Sequence, residues 1–236
     1  MKKSLVLCGF LVALTASSAM AGGVNLSWTD CGAAGTQDRA FACGANTGSN
    51  VLVVSYDPNV VMANMVGNDI RVDLQSADAT TLNNWWQMFN AGTCRATSVS
   101  TNVVFSAATC ADFWAAGGAG GIGSYNITGN KASLLMFWAV TGPGQVDPGT
   151  EYYSINISIN NQKTVGTGAC TGCATGVCLV ANVVQLDGDT NNLQKIENPR
   201  DRNWVTWNGG GGVVGGCPGT VPALNRTWGQ VKSLYR

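Results

Sequence analysis

Through much of the chain, apolar and polar residues change places at every second position. In residues 151–160 (EYYSINISIN), Tyr153, Ile155, Ile157 and Ile159 fall on one side. Tyr152, Ser154, Asn156 and Ser158 fall on the other. Successive side chains of a strand point to opposite faces, so this spacing predicts a strand with one buried face. Residues 69–76 (DIRVDLQS) repeat it with Ile70, Val72 and Leu74. Residues 50–57, 101–107, 177–187 and 203–208 are further candidates, rich in β-branched and aromatic side chains. Residues 131–140 (KASLLMFWAV) are more continuously apolar, which suits a central strand. Gly, Pro and Asn punctuate these runs. Roughly eight such strands predict an all-β fold: an antiparallel β-sandwich, jelly-roll-like, in one domain. The runs GGAGGIGS and GGGGVVGG read as long loops, the second also as a short tether.

Both ends break the period. Residues 1–21 (MKKSLVLCGFLVALTASSAMA) place two lysines before an apolar run and a small-residue exit at Ala19-Met20-Ala21. That order predicts a secretory signal peptide, too short in its apolar part to remain as a membrane span. Residues 22–224 form the predicted sandwich domain. Residues 225–236 (NRTWGQVKSLYR) carry Trp228, Val231, Leu234 and Tyr235 at helical spacing, with Thr227 and Gln230 as a capping box. They predict a short C-terminal amphipathic helix. It packs on the sandwich, or serves as an assembly tail for export, anchoring or a neighbouring subunit.

Composition sharpens the picture. Only 11% of residues are charged, with 13 basic against 13 acidic. Lys2 and Lys3 leave with the leader, so the exported chain is close to neutral. No basic patch exists to attract nucleic acid or anionic lipid. Near-zero net charge favours self-association.

Of nine cysteines, Cys8 lies in the leader. The other eight are Cys31, Cys43, Cys94, Cys110, Cys170, Cys173, Cys178 and Cys217. An even set in an exported chain reads as disulfides. Proximity favours Cys31–Cys43 and Cys94–Cys110, with Cys217 joining the cluster GACTGCATGVC. That cluster is no haem site, because Ala174 follows Cys173 where histidine is required. Zinc would need reduced thiols. A redox C-x-x-C needs a helix N-terminus, and the flanking glycines make turns.

Candidate chemistry is sparse. The chain has no histidine, which removes Ser-His-Asp and Cys-His catalysis. Glu151 and Glu197 are the only glutamates, and no second acid is paired with either at a glycosidase separation. Both read as surface charge, and no catalytic residue is assigned. The GAGGIG match at 118–123 lacks the helix that a dinucleotide site requires. Asp187, Asp189 and Asn191 have oxygen spacing suited to calcium, although a simple turn explains them as well. No other cofactor or metal is implied.

The tryptophans offer the best binding candidates. Trp85 and Trp86 are adjacent, and Trp204 and Trp207 lie three apart. In extended chain each pair splits across the two faces. One indole of each can then form a platform for a sugar or a partner protein, unless loops bury both.

The segments VNLSWTDCGAAG, NNWWQMFNAGTCR, GTEYYSINISINNQKTVGTGACTGC and RTWGQVKSLYR together resemble a group of uncharacterised bacterial secreted proteins. The resemblance implies a bacterial exported protein and carries no activity with it. The segment SYDPNVV is similar to the strand ends of cohesin-like sandwiches, on that one short motif. Two functions follow: a non-enzymatic structural or assembly protein of the extracellular space, or a carbohydrate- or surface-binding module using exposed Trp. The partner is accordingly a second copy, or an extracellular glycan or protein.

Overall fold

The computed structural model describes residues 22–209, apart from Ala79 and Asn191. The signal segment, Cys217 and the predicted C-terminal helix with Trp228, Val231, Leu234 and Tyr235 lie outside the described residues. Eleven strands follow one another: β1 (Gly23–Trp28), β2 (Asp38–Arg39), β3 (Ser49–Asp57), β4 (Met62–Ser76), β5 (Val99–Asn102), β6 (Ala119–Thr128), β7 (Lys131–Val146), β8 (Tyr152–Asn160), β9 (Val177–Gly188), β10 (Leu193–Ile196) and β11 (Trp204–Trp207). The smaller sheet has the order β1-β3-β8-β5. The larger has the order β2-β11-β9-β4-β7-β6, with β10 also paired to β9. All pairings are antiparallel except β2 with β11. The molecule is the expected all-β sandwich, with both sheets facing one core.

The central strands are those with the strictest alternation. Ile70, Val72 and Leu74 of β4 are buried, as are Leu52 and Val54 of β3 and Ile155, Ile157 and Ile159 of β8. β8 departs from its predicted phase at one point. Val54 pairs with Ile155 but Ser55 pairs with Tyr153, so Ser154 is an extra residue in the ladder. A bulge shifts the facing of what precedes it. Tyr152 therefore joins Ile155 in the main core, and Tyr153 turns to the outer face, beside Val53 and the Cys31–Cys110 disulfide. The bulged Ser154 accepts a hydrogen bond from the buried Asn68 Nδ2 of β4 at 2.9 Å, linking the two sheets.

One end of the core is aromatic. Phe41 stacks on Trp207 at 3.6 Å between centroids, and Trp28, Trp85 and Trp86 lie edge-on or tilted around that pair. Burying an aromatic side chain of this size contributes roughly 4–6 kcal/mol of transfer free energy. Arg95 closes the cluster. Its guanidinium lies 3.6 Å over the Trp85 ring. It donates to the carbonyls of Trp85 (2.6 Å), Gln162 (3.0 Å) and Asn160. Burial lowers its pKa to about 10, so the three carbonyls hold a charge that has left water.

Three readings of the sequence are overturned here. The run GGAGGIGS is not a loop, because β6 starts at Ala119 within it. The local disulfides do not form. The bonds are Cys31–Cys110, Cys43–Cys173 and Cys94–Cys170, each joining residues at least 76 apart. Cys170 and Cys173 are not partners. The sandwich brings the 40s and 90s loops to either side of their turn, and each loop takes one sulfur. Cys178 is disulfide-bonded as well. The strand predicted at 101–107 is shorter and earlier, covering only Val99–Asn102.

Candidate binding cleft

Strands β3 and β8 lie side by side in the smaller sheet, and their outward residues make a floor. Val53 faces Asn156 across the ladder, and Val51 faces Ser158. Asn102 of β5 pairs with Asn156 from the other side. Chain 104–107 leaves β5 and folds up as one wall, while Thr29, Asp30 and Arg39 make the opposite rim. The space enclosed is about 400 Å³. That is the size of a small-molecule or oligosaccharide site, which ranges over roughly 300–1,000 Å³.

Aromatic and amide groups define the chemistry. Phe105 stacks on Tyr153 with centroids 4.3 Å apart and planes 13° apart. The Tyr153 hydroxyl donates to Asp30 Oδ1 at 3.0 Å. Burial, reinforced by the Asp30 charge, pushes the tyrosine pKa up. Asp30 also accepts from the Cys31 N–H and the Thr109 hydroxyl, both at 2.7 Å. Its carboxylate thus holds the wall together. Asn156 Nδ2 donates to Asn102 Oδ1 at 3.3 Å and to the Val104 carbonyl at 2.8 Å. Val104 N donates to the same Asn102 oxygen. These bonds fix both amides and leave Asn156 Oδ1 as acceptor and Asn102 Nδ2 as donor. A second, smaller cleft of about 310 Å³ lies beyond the 102–105 ridge, against Trp114 and Trp138.

The residues singled out by sequence lie elsewhere. Trp85 and Trp86 sit in a 3₁₀ turn rather than a strand, and both are fully buried. Trp207 is also fully buried, while Trp204 is half-buried. A Trp platform built on Trp85, Trp86 and Trp207 is therefore excluded: their faces are spent on one another and on Phe41. Trp207 Nε1 donates to the Cys173 carbonyl at 2.7 Å. Asp187 and Asp189 lie at the β9–β10 hairpin, where Gln185 and Asn64 amides donate to them. Asn191 lies outside the described residues. Among the described residues, no three His, Cys, Asp or Glu side chains are placed to hold a metal.

Glu151 is not simple surface charge. Its Oε1 accepts from Ser55 (2.6 Å) and Asn25 (2.8 Å), and its Oε2 accepts from Arg200 (3.1 Å). Asp57 lies on the same arginine at 3.6 Å and accepts from Gly149 N at 2.8 Å. Arg200 is thereby shared between two carboxylates and pins chain 198–202 along β1, where Val24 and Leu26 donate to its carbonyls. Sequence spacing could not show this group, since its members lie far apart in the chain. The cleft was missed for a similar reason. Phe105 and Tyr153 come together only through the bulge and the fold-back after β5.

No family model matches the chain, and no curated protein matches it. Among solved structures, it is similar to a cohesin module from a family 33 glycoside hydrolase of Clostridium perfringens. The identity is 7% over 79% of this chain and 93% of that one, with a TM-score of 0.37. It is also similar to Spo0M, a sporulation control protein of Bacillus subtilis. Here the identity is 15% over 76% of this chain and 49% of that one, with a TM-score of 0.25. The sandwich architecture stands on the chain's own strand pairing.

Proposed function

We propose that the protein is an exported, non-catalytic recognition module that binds a neutral oligosaccharide in the cleft on the smaller sheet. The observation that carries this reading is the fixed aromatic stack of Phe105 on Tyr153, bordered by the amides of Asn102 and Asn156. A sugar ring presents an apolar face of C–H groups and a rim of hydroxyls. An aromatic side chain takes the first, and oriented amides take the second. Asp30, the carboxylate in the cleft, is engaged by Tyr153, Cys31 and Thr109. The paired carboxylates of a glycosidase therefore have no counterpart among the described residues lining this cleft. Long-range disulfides support export, because they form and persist in oxidising compartments.

The test is calorimetry of the oxidised full chain against a panel of neutral and acidic oligosaccharides. Binding of a neutral member is expected, weakened at least tenfold by Phe105→Ala and by Asn156→Ala. No binding across the panel would overturn the reading. So would binding confined to acidic sugars that Arg39→Ala abolishes and Phe105→Ala leaves intact. An assembly role has separate support, in the edge of the larger sheet.

A further inference from the structure

β6 forms one edge of the larger sheet, paired on one side only, to β7. Its other side is paired to no strand, although β5 of the smaller sheet lies near it. Among the described residues, the Asn90 side chain reaches the Tyr125 carbonyl at 2.8 Å, and no backbone hydrogen bond is made to that side. An unpaired edge is a template for another strand, and proteins usually guard it with lysine, proline or a very short strand. β6 has none of these three guards, although a bulge at Gly123 interrupts its register with β7. It is ten residues long, and residues 117–130 contain neither a charged residue nor a proline.

The surface beside the edge is also unusual. Phe137 and Leu135 of β7 project from the outer face, 50% and 43% exposed. They sit next to Gly121 and Ser124 in register. Gly123 lies close enough to Phe137 that an added Cβ would meet its ring at 3.2 Å. At Gly121 a Cβ would meet nothing within 4 Å. The edge is thus a glycine-rich strand, bulged at Gly123, with an apolar flank.

The geometry points to a symmetric dimer in which β6 pairs antiparallel with β6 of a second copy of this chain. Two features select a second copy as the occupant. The edge is uncharged, so juxtaposing it with itself introduces no repulsion. Without Lys2 and Lys3 the exported chain carries 11 basic and 13 acidic residues, so little net charge opposes self-association. A two-fold axis across antiparallel strands gives a self-complementary, closed interface. It would join the two larger sheets and bring both glycine-rich strands between the paired Phe137 flanks. This surface belongs to the opposite sheet from the oligosaccharide cleft, and the two proposals stand or fall separately.

Sedimentation of the oxidised full chain over a range of concentrations, with amide hydrogen exchange at the same concentrations, tests it. A monomer–dimer equilibrium is expected, with exchange at the β6 amides slowing as dimer forms. Gly121→Lys with Asn126→Lys should weaken association at least tenfold and leave the thermal melt within a few degrees. Val60→Lys, at an exposed apolar site on the β3–β4 turn, should leave association unchanged. A chain that stays monomeric at millimolar concentration overturns the proposal. A dimer indifferent to the lysines, or one that protects amides only outside β6, overturns it as well.

Discussion

Asp57 shows how one buried residue ties stability to pH. Its side chain is fully buried. Burial raises its pKa from the ordinary value of 3.8, while the Gly149 N–H and Arg200 pull it back down and Glu151 adds to the rise. The folded protein therefore holds this proton to a higher pH than the unfolded chain does. Between the two values the folded state binds more protons, so the Asp57 contribution to stability falls as pH rises. Asp57→Asn keeps an oxygen to accept from Gly149 and removes the titration. Melting temperatures of both proteins, measured upward from about pH 3.5, should show the wild type losing ground to the variant as pH rises. Parallel curves would mean that Asp57 titrates alike in both states.

At the scale of elements, the glycines of β6 divide by facing. Gly120 lies opposite Trp138, and an added Cβ would come within 2.1 Å of the Phe137 carbonyl oxygen and 2.7 Å of the Trp138 Cα. Gly121 has open space. Gly120→Ala should destabilise the protein by about 1–3 kcal/mol, the usual cost of overpacking. Gly121→Ala should be neutral, or stabilising by up to about 1 kcal/mol through the unfolded chain. Denaturant titration of the two variants checks the contrast, and equal effects would refute it. The same residues explain what was legible in the sequence. Strands such as β4 and β8 announce themselves because one face is apolar and the other polar. β6 does not, because Gly120 is required by the β7 backbone and Trp138 beside it, and Gly123 by the Phe137 ring. That requirement arises only once β7 is in place. The Ser154 bulge is hidden likewise, since it leaves the apolar spacing of Tyr153 and Ile155 intact while changing which tyrosine joins the main core.

At the scale of the whole molecule, the disulfides decide how the loops are held. Sequence composition identified the cysteines as staples, and the structure bears this out for Cys31, Cys43, Cys94, Cys110, Cys170 and Cys173. Their pairing was not legible, because proximity along the chain is a poor guide where a sandwich returns distant loops to one end. The separations of 79, 130 and 76 residues matter energetically. A bond that closes a longer loop removes more freedom from the unfolded chain, and each contributes roughly 2–4 kcal/mol. Two of the three, Cys43–Cys173 and Cys94–Cys170, clamp the turn before β9 from opposite sides. Both border the aromatic core: Cys173 accepts from Trp207 through its carbonyl, and Cys94 precedes the Arg95 that covers Trp85. Cys31–Cys110 instead lies on the outer face, beside Tyr153. Removing it as Cys31→Ala with Cys110→Ala should therefore loosen the cleft wall and spare the core. The expected result is a folded protein with near-UV circular dichroism dominated by an unchanged tryptophan cluster, and with amide exchange quickened around Tyr153 and Phe105. The corresponding double replacement of Cys94 and Cys170 should alter the tryptophan signal itself. Were the two variants to lose that signal equally, the aromatic end and the cleft would have to unfold as one unit.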